Sequence, residues 1–461
     1  MSYRFEEAFY DRAIASLQKL VRIKSVEEKN DGPHPFGEGP YEALMCILGE
    51  AEALGFATHN HKNICGHVEL KGESDDYIGV VGHMDVVPEG DPADWIHPPY
   101  GAEIHDGKMF GRGTLDDKGP MVASLYALKA IKDSGVKLKH TVRLIAGTNE
   151  ETGSLGVKSY FESFPAPHAG FTPDSDFPCI HAEYGILKNT FSTPIHEDIL
   201  ELSGGSAHNM VADRAKVRLR ADEKLADVLA KAADAIEKLE IVKIRHEYGD
   251  GVFELSVIGK SAHGSIPSTG ENAIDYMMDI LSRMDGEKFD FARDYMRLFG
   301  YCHDGEKMGI RLHDEESGTL RLNKGVLTLQ DHVATLIVNI RYPVTFTAKE
   351  PIEGMKKAIE GTVWAMSAEY SDAEPLFFPV DHPLVATLTA VYRKNTGDDK
   401  TAPIETAGGT YARETSNIIA FGPGFPGDEE VIHKPNEWIA VDHFKKLIDI
   451  YYDAILELAK E

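Results

Sequence analysis

Cysteine is scarce in this chain. Four residues of 461 (Cys46, Cys65, Cys179 and Cys302) lie far apart with no Cys-x-x-Cys pair, which excludes a disulfide framework and a thiolate zinc site. They read as reduced core thiols. Positive charge is also in short supply, with 48 Lys and Arg against 75 Asp and Glu for a net −27, and no basic run is long enough to track a phosphate backbone. Nucleic acid and anionic membrane surfaces are excluded as partners on that ground. No run of about 18 apolar residues occurs, so no membrane-spanning helix is expected. The N-terminus, Met-Ser-Tyr-Arg-Phe-Glu-Glu, carries acid where a signal peptide needs base, and the expectation is a cytoplasmic protein. What remains is ordinary globular composition, 42% apolar and 27% charged, and at roughly 150 residues per unit the length predicts two or three structural units.

Two grammars alternate along the chain. An amphipathic helix is expected from Phe5, Phe9, Ile14, Leu17 and Leu20. Tyr77–Val87 runs apolar without alternation, the pattern of a strand buried on both faces of a mainly parallel sheet, and its end carries His83 and Asp85. Pro120 opens and Gly135 closes a helix over Met121–Ser134. A second buried strand, Thr141–Thr148, delivers Asn149, Glu150 and Glu151. Strand, helix, strand with chemistry at the strand ends is the α/β pattern. After Tyr184 the reading changes to strands at Ala215–Leu219, Phe253–Ile258 and Thr335–Ile340, interleaved with helices at Ala221–Leu239 and Asn272–Met284. The expected organisation is therefore a discontinuous catalytic domain, residues 1–183 and 383–461, with a mainly parallel sheet sandwiched by helices. Residues 184–382 are expected to form an inserted α+β lid. Gly-x-Ser-Ala-His occurs at Gly204–His208 and again at Gly259–His263, which leaves internal duplication of the lid open.

Five acid or histidine clusters stand at turn positions: His83-Met-Asp85, Asp116-Asp117, Asn149-Glu150-Glu151, Pro173-Asp174 and His433-Lys-Pro-Asn-Glu437. Singly, each is an unremarkable loop. Together they present nitrogen and oxygen ligands with no thiolate, the donor set of divalent metals such as zinc or manganese. These elements resemble those of the dinuclear-metal exopeptidases that include carboxypeptidase G, aminoacylase and carnosinase, with the bacterial PepV-like dipeptidases most similar. The resemblance rests on the Gly-His-x-Asp strand end, Gly111-Arg-Gly-x-x-Asp-Asp-Lys-Gly-Pro120, Asn149-Glu-Glu-x-Gly153 and His433-x-x-Asn-Glu437, and it covers nearly the whole chain.

The resemblance implies a two-metal hydrolase. His83 and Asp174 would hold one ion, Glu151 and His433 the other, and Asp116 would bridge them, across an Asp116–Asp117 peptide expected to be cis. Zinc is the first expectation, with manganese or cobalt as alternatives. Glu150 resembles the general base. Asp85, taken to lie on the same side of the strand, would accept the His83 imidazole N–H. In the lid, His263 resembles the histidine that donates to the oxyanion, while Asn209 and Arg341 resemble substrate-holding residues, Arg341 as a bidentate carboxylate clamp. Gly409 and Thr410 are candidates for lining the substrate pocket, and Asp85, Asp117 and Asp174 are unranked candidates for meeting a substrate amine. The expected substrate is a dipeptide and the expected assembly a monomer, with a homodimer as the alternative. Two other readings stay open: a deacylase of N-acyl amino acids using the same site, and an inactive scaffold, which retention of Glu150 and all five ligand positions disfavours.

Overall fold

A computed structural model describes residues 4–29 and 31–460. The first three residues of the acidic N-terminal segment lie outside them. Contacts divide the chain into two compact units: residues 1–181, 378–404 and 409–461 in the first, and 182–377 with 405–408 in the second. The short Glu405–Gly408 run belongs with the second, where the Tyr184 N–H donates to the Thr406 carbonyl at 3.0 Å.

The first unit is built on a mixed sheet whose centre is parallel. His140–Gly147, Ser74–His83, Ala169–Thr172 and Ile418–Ala420 run parallel in that order. Antiparallel strands, Cys65–Leu70 and then Ala57–His61, extend one side. From Tyr77 to His83 every residue is buried, which explains the unbroken apolar run of this central strand. The strand ends at His83, so Met84–Val87 lie beyond it, contrary to the expected extent. Helices Lys118–Ser134 and Val441–Lys460 pack on each other and on the two central strands. The first is closed by Gly135 in the left-handed conformation at φ 69°, as the Gly stop predicts. The N-terminal helix spans Glu7–Val21, with Tyr10, Ala13, Leu17 and Leu20 buried.

The second unit is an antiparallel sheet of eight strands with helices, the expected α+β arrangement. Its alternating strands, such as Arg214–Arg220 and Val252–Ile258, turn Val217, Leu219, Leu255 and Val257 into a core. The same core takes Leu229 and Ile236 from helix Glu223–Glu237, and Ile274 and Leu281 from helix Ala273–Ser282. Period-two alternation against one helix-covered face is what such a sheet requires. That one continuous eight-stranded sheet gives no support to an internal duplication. Among the described residues, no helix is long and apolar enough to cross a membrane.

Candidate metal centre

Parallel strands bring their carboxyl ends to one edge of a sheet, and open α/β folds use that edge for binding. Here His83 is the last residue of its strand, Glu150 and Glu151 follow His140–Gly147, and Asp174 follows Ala169–Thr172. Asp116 joins them from the turn before helix Lys118–Ser134, and His433 from a loop where its own backbone is left-handed at φ 62°. The Asp116–Asp117 peptide is cis. Close packing has sequence consequences at the strand ends. A Cβ on Gly82 would meet the Asp117 carboxylate at 2.1 Å, and one on Gly147 would meet the Tyr411 hydroxyl at 2.3 Å; glycine is required at both.

The five expected ligands form two groups that share Asp116. His83 Nε2 lies 2.9 Å from Asp116 Oδ1 and 3.7 Å from Asp174 Oδ2. His433 Nε2 lies 2.9 Å from Asp116 Oδ2 and 3.3 Å from Glu151 Oε2. Within each group the ligand atoms lie within 4.8 Å of one another, and the two Asp116 oxygens face different histidines, as a bridging carboxylate must.

The electrostatics fit added positive charge. Burial pushes the Glu150 carboxyl up to about 8, with Glu151, Asp116 and Asp85 adding repulsion against the opposing pull of His83. Burial and Asp116 likewise raise Glu151, and raise Asp174 well above the usual carboxylate range. Burial opposes ionisation of Asp116 too, but hydrogen bonds to His433 and His83 outweigh it and hold that carboxyl far below the usual range. Glu151 Oε1 and Asp117 Oδ1 are buried with no hydrogen-bond partner. Crowded carboxylates with buried acceptors and no thiolate are what two hard or borderline divalent ions neutralise, so the residues present fit a dinuclear centre.

Asp85 departs from expectation. His83 Nδ1 sits 2.9 Å from the Asp85 backbone carbonyl, whereas the carboxylate Oδ1 is at 3.6 Å. A carbonyl can only accept, so Nδ1 carries the proton and Nε2 offers its lone pair to the ligand group. The tautomer is the expected one, set by backbone. The Asp85 carboxylate instead accepts from the backbone N–H of Glu150 and of Glu151, both at 3.1 Å, and so holds the turn that presents them. The reason is that the strand has already ended at His83, and the same-side geometry of alternate strand residues no longer applies. Asp117, a candidate amine partner, accepts from the His83 N–H at 3.1 Å and is fully buried.

Glu437 has no role in the sequence reading, yet it organises the centre. Fully buried, it accepts from Arg112 Nη1 at 2.7 Å and from the N–H groups of Gly113 and Leu115 at 3.0 Å. Its backbone carbonyl takes the Gly111 N–H at 2.9 Å. The loop before Asp116 is thereby tied to the segment that carries His433. A usable signal was present, because an arginine inside Gly-Arg-Gly needs a buried acid and Glu437 closes the other motif. Tyr411 is a second omission: fully buried, its ring stands edge-on to His83 at 6.1 Å. Beside it, Thr410 Oγ1 accepts the Ala412 N–H at 3.1 Å, and a Cβ on Gly409 would meet the Arg413 guanidinium at 3.0 Å. A third group able to hold an ion, His97, Glu103 and His105, is more exposed and was not anticipated.

In the second unit the structure brings Asn209 and His263 together. Met210 and His263 form an isolated β-bridge, and the Gly264 N–H donates to the Asn209 carbonyl at 2.6 Å. His263 is exposed and Asn209 half-buried. Arg341 lies within strand Val333–Tyr342, not after a strand ending at Ile340 as expected, and is 5% exposed. Nearby His208 is pushed below the ordinary histidine range by burial and then by the Lys188 and Arg341 charges.

Comparison with known proteins agrees with this class of fold. The family model described as Peptidase family M20/M25/M40 matches residues 79–457. The chain is 37% identical over 459 residues to "Putative dipeptidase YtjP" of Bacillus subtilis (strain 168), covering 97% of each chain. Among solved structures, it is similar to the M20 family metallo-carboxypeptidase Sso-CP2 from Sulfolobus solfataricus, at 16% identity, TM-score 0.57, and coverage of 98% of this chain and 99% of that one. It is similar also to Bacillus subtilis YXEP, described as a dinuclear metal binding peptidase from the M20 family, at 11% identity, TM-score 0.53, and coverage of 98% and 99%. The chain belongs to peptidase family M20/M25/M40. It is a hydrolase acting on peptide bonds.

Proposed function

We propose that this chain is a dipeptidase working through two divalent ions, zinc in the first instance. The observation that carries the reading is the sharing of Asp116 between two ligand groups with Glu150 beside them; the dipeptidase name of YtjP supports the substrate class. His83 and Asp174 would hold one ion, Glu151 and His433 the other, with Asp116 between. Such a pair, when bound, acidifies water and polarises the scissile carbonyl.

The chain's own residues do the rest. Glu150 takes a proton as the water oxygen bonds to the carbonyl carbon, then returns it to the leaving nitrogen as the C–N bond breaks. A buried carboxylate beside the ligand groups can serve both halves of that transfer. Asp85 keeps the Glu150 and Glu151 N–H groups in place. His263 donates to the oxyanion of the tetrahedral intermediate, Arg341 pairs with the substrate's C-terminal carboxylate, and Asn209, Gly409 and Thr410 contact the substrate. The products are two amino acids. The test is Glu150→Gln assayed on α-dipeptides, β-alanyl dipeptides, N-acetyl amino acids and tripeptides, with metal content measured alongside. Loss of about a thousandfold in kcat at unchanged metal content is expected. Turnover equal to wild type rejects the mechanism, and N-acetyl amino acids outpacing dipeptides rejects the substrate class.

A further inference from the structure

The exposed imidazole of His263 is gripped at Nδ1 by its own loop. Nδ1 lies 2.6 Å from Ser265 Oγ and 3.4 Å from the Ser265 backbone nitrogen. A backbone N–H can only donate, so Nδ1 is the acceptor, and the hydroxyl donates to the same atom. Neutral imidazole carries one proton, and it is therefore on Nε2. The loop that makes this contact is itself anchored: Arg321 Nη1 donates to the Ser265 carbonyl at 2.7 Å, and the Arg321 guanidinium lies 5.0 Å over the Tyr184 ring. The Ile266 N–H closes the turn on the His263 carbonyl at 3.0 Å.

We infer that Ser265 is a positioning residue that locks His263 in the Nε2–H tautomer, with Arg321 holding Ser265 in place. An exposed side chain otherwise samples several rotamers and both tautomers, and only Nε2–H presents a donor from the far edge of the ring. Fixing both in advance is what preorganised stabilisation of a developing charge requires. This inference rests on the reading of His263 as oxyanion donor.

The experiment uses the zinc-loaded full chain with ¹⁵N-labelled histidine. The His263 signals are identified by their loss in His263→Gln, and each variant's kcat and KM are measured. Wild type is expected to show the Nε2–H tautomer. Ser265→Ala is expected to admit the Nδ1–H form and to lower kcat about tenfold with KM within about twofold, and Ser265→Thr to restore both. In a His263→Gln background, Ser265→Ala should add nothing. Arg321→Ala should reproduce the Ser265→Ala effect in weaker form; unchanged kcat there removes Arg321 from the proposal. A wild-type Nδ1–H tautomer, or a Ser265→Ala variant with unchanged signals and kcat, overturns the assignment to Ser265. Full activity of His263→Gln sinks the oxyanion reading instead, and the tautomer signals still decide what Ser265 does.

Discussion

Two buried charge networks, one in each unit, are built in opposite ways. In the second unit Lys324 and Asp275 are buried at 0% and 1% exposure and pair at 2.9 Å. Lys324 Nζ also donates to the Cys302 carbonyl at 2.9 Å, and the Tyr295 hydroxyl donates to Asp275 Oδ1 at 2.7 Å. Charges cancel and each carboxylate oxygen has a donor. In the first unit Asp116, Asp174, Glu150 and Glu151 crowd against two imidazoles, and a buried Glu151 oxygen has no partner. A network closed within the chain supports the fold. One with surplus acceptors is incomplete until cations arrive, and the surplus marks the functional site.

That contrast can be broken by mutation. Lys324→Met should have the largest effect on stability, about 3–5 kcal/mol in chemical denaturation, because it strands Asp275. Added metal should raise it only as much as it raises wild type and so leave the difference in place, whereas a second change, Asp275→Leu, should recover most of the loss. Chelation of the metals should be milder, lowering stability by about 1.4 kcal/mol for each of the two ions relative to protein at a tenfold excess over Kd, while abolishing turnover. Zinc should restore both. A metal effect on Lys324→Met larger than the effect on wild type would mean that the two networks are not distinct.

Glu437→Gln tests the support of the centre. It keeps the shape but weakens charge-assisted bonds to Arg112 and the loop amides, for an expected cost of about 1–3 kcal/mol. Metal affinity measured by competition with a chelator should fall with it. The smallest effect concerns Arg4, ahead of the N-terminal helix, and its partner Asp453 on helix Val441–Lys460. Burial raises the Asp453 carboxyl, but hydrogen bonds from Arg4 and Asn395 outweigh it and hold the pKa at about 2. Its stabilisation is present above the ordinary aspartate pKa and is lost as pH falls from about 4 through 2. Since Arg4 is 30% exposed, about 1 kcal/mol is expected. Asp453→Asn should flatten that part of the acid limb in denaturation at pH 5 and pH 3.

Much of the centre was legible because ligands sit at the ends of strands whose burial is written in unbroken apolar runs. Tyr77–His83 is such a run, and it points to the histidine that ends it. The stop at His83 was not legible, since Met84, Val86 and Val87 continue the apolar text, and this is why the backbone amides met by the Asp85 carboxylate were not foreseen. Those amides, of Glu150 and Glu151, come from another strand's end. Glu437 was similarly opaque: its contacts to Arg112, Gly113 and Leu115 span more than 300 positions of chain.

The amino-acid sequence alone determined the chemistry available: nitrogen and oxygen ligands without thiolate, a carboxylate pair after a buried strand, and helices and strands set by local periodicity and by Pro and Gly punctuation. Tertiary structure decided which atom meets which. It turned the two oxygens of Asp116 to separate histidines, gave the Asp85 carboxylate to backbone amides, and placed Ser265 on His263 Nδ1. The physical reason is range. Periodicity is fixed by neighbours a few residues away, whereas a hydrogen bond of about 3 Å depends on where distant segments come to rest.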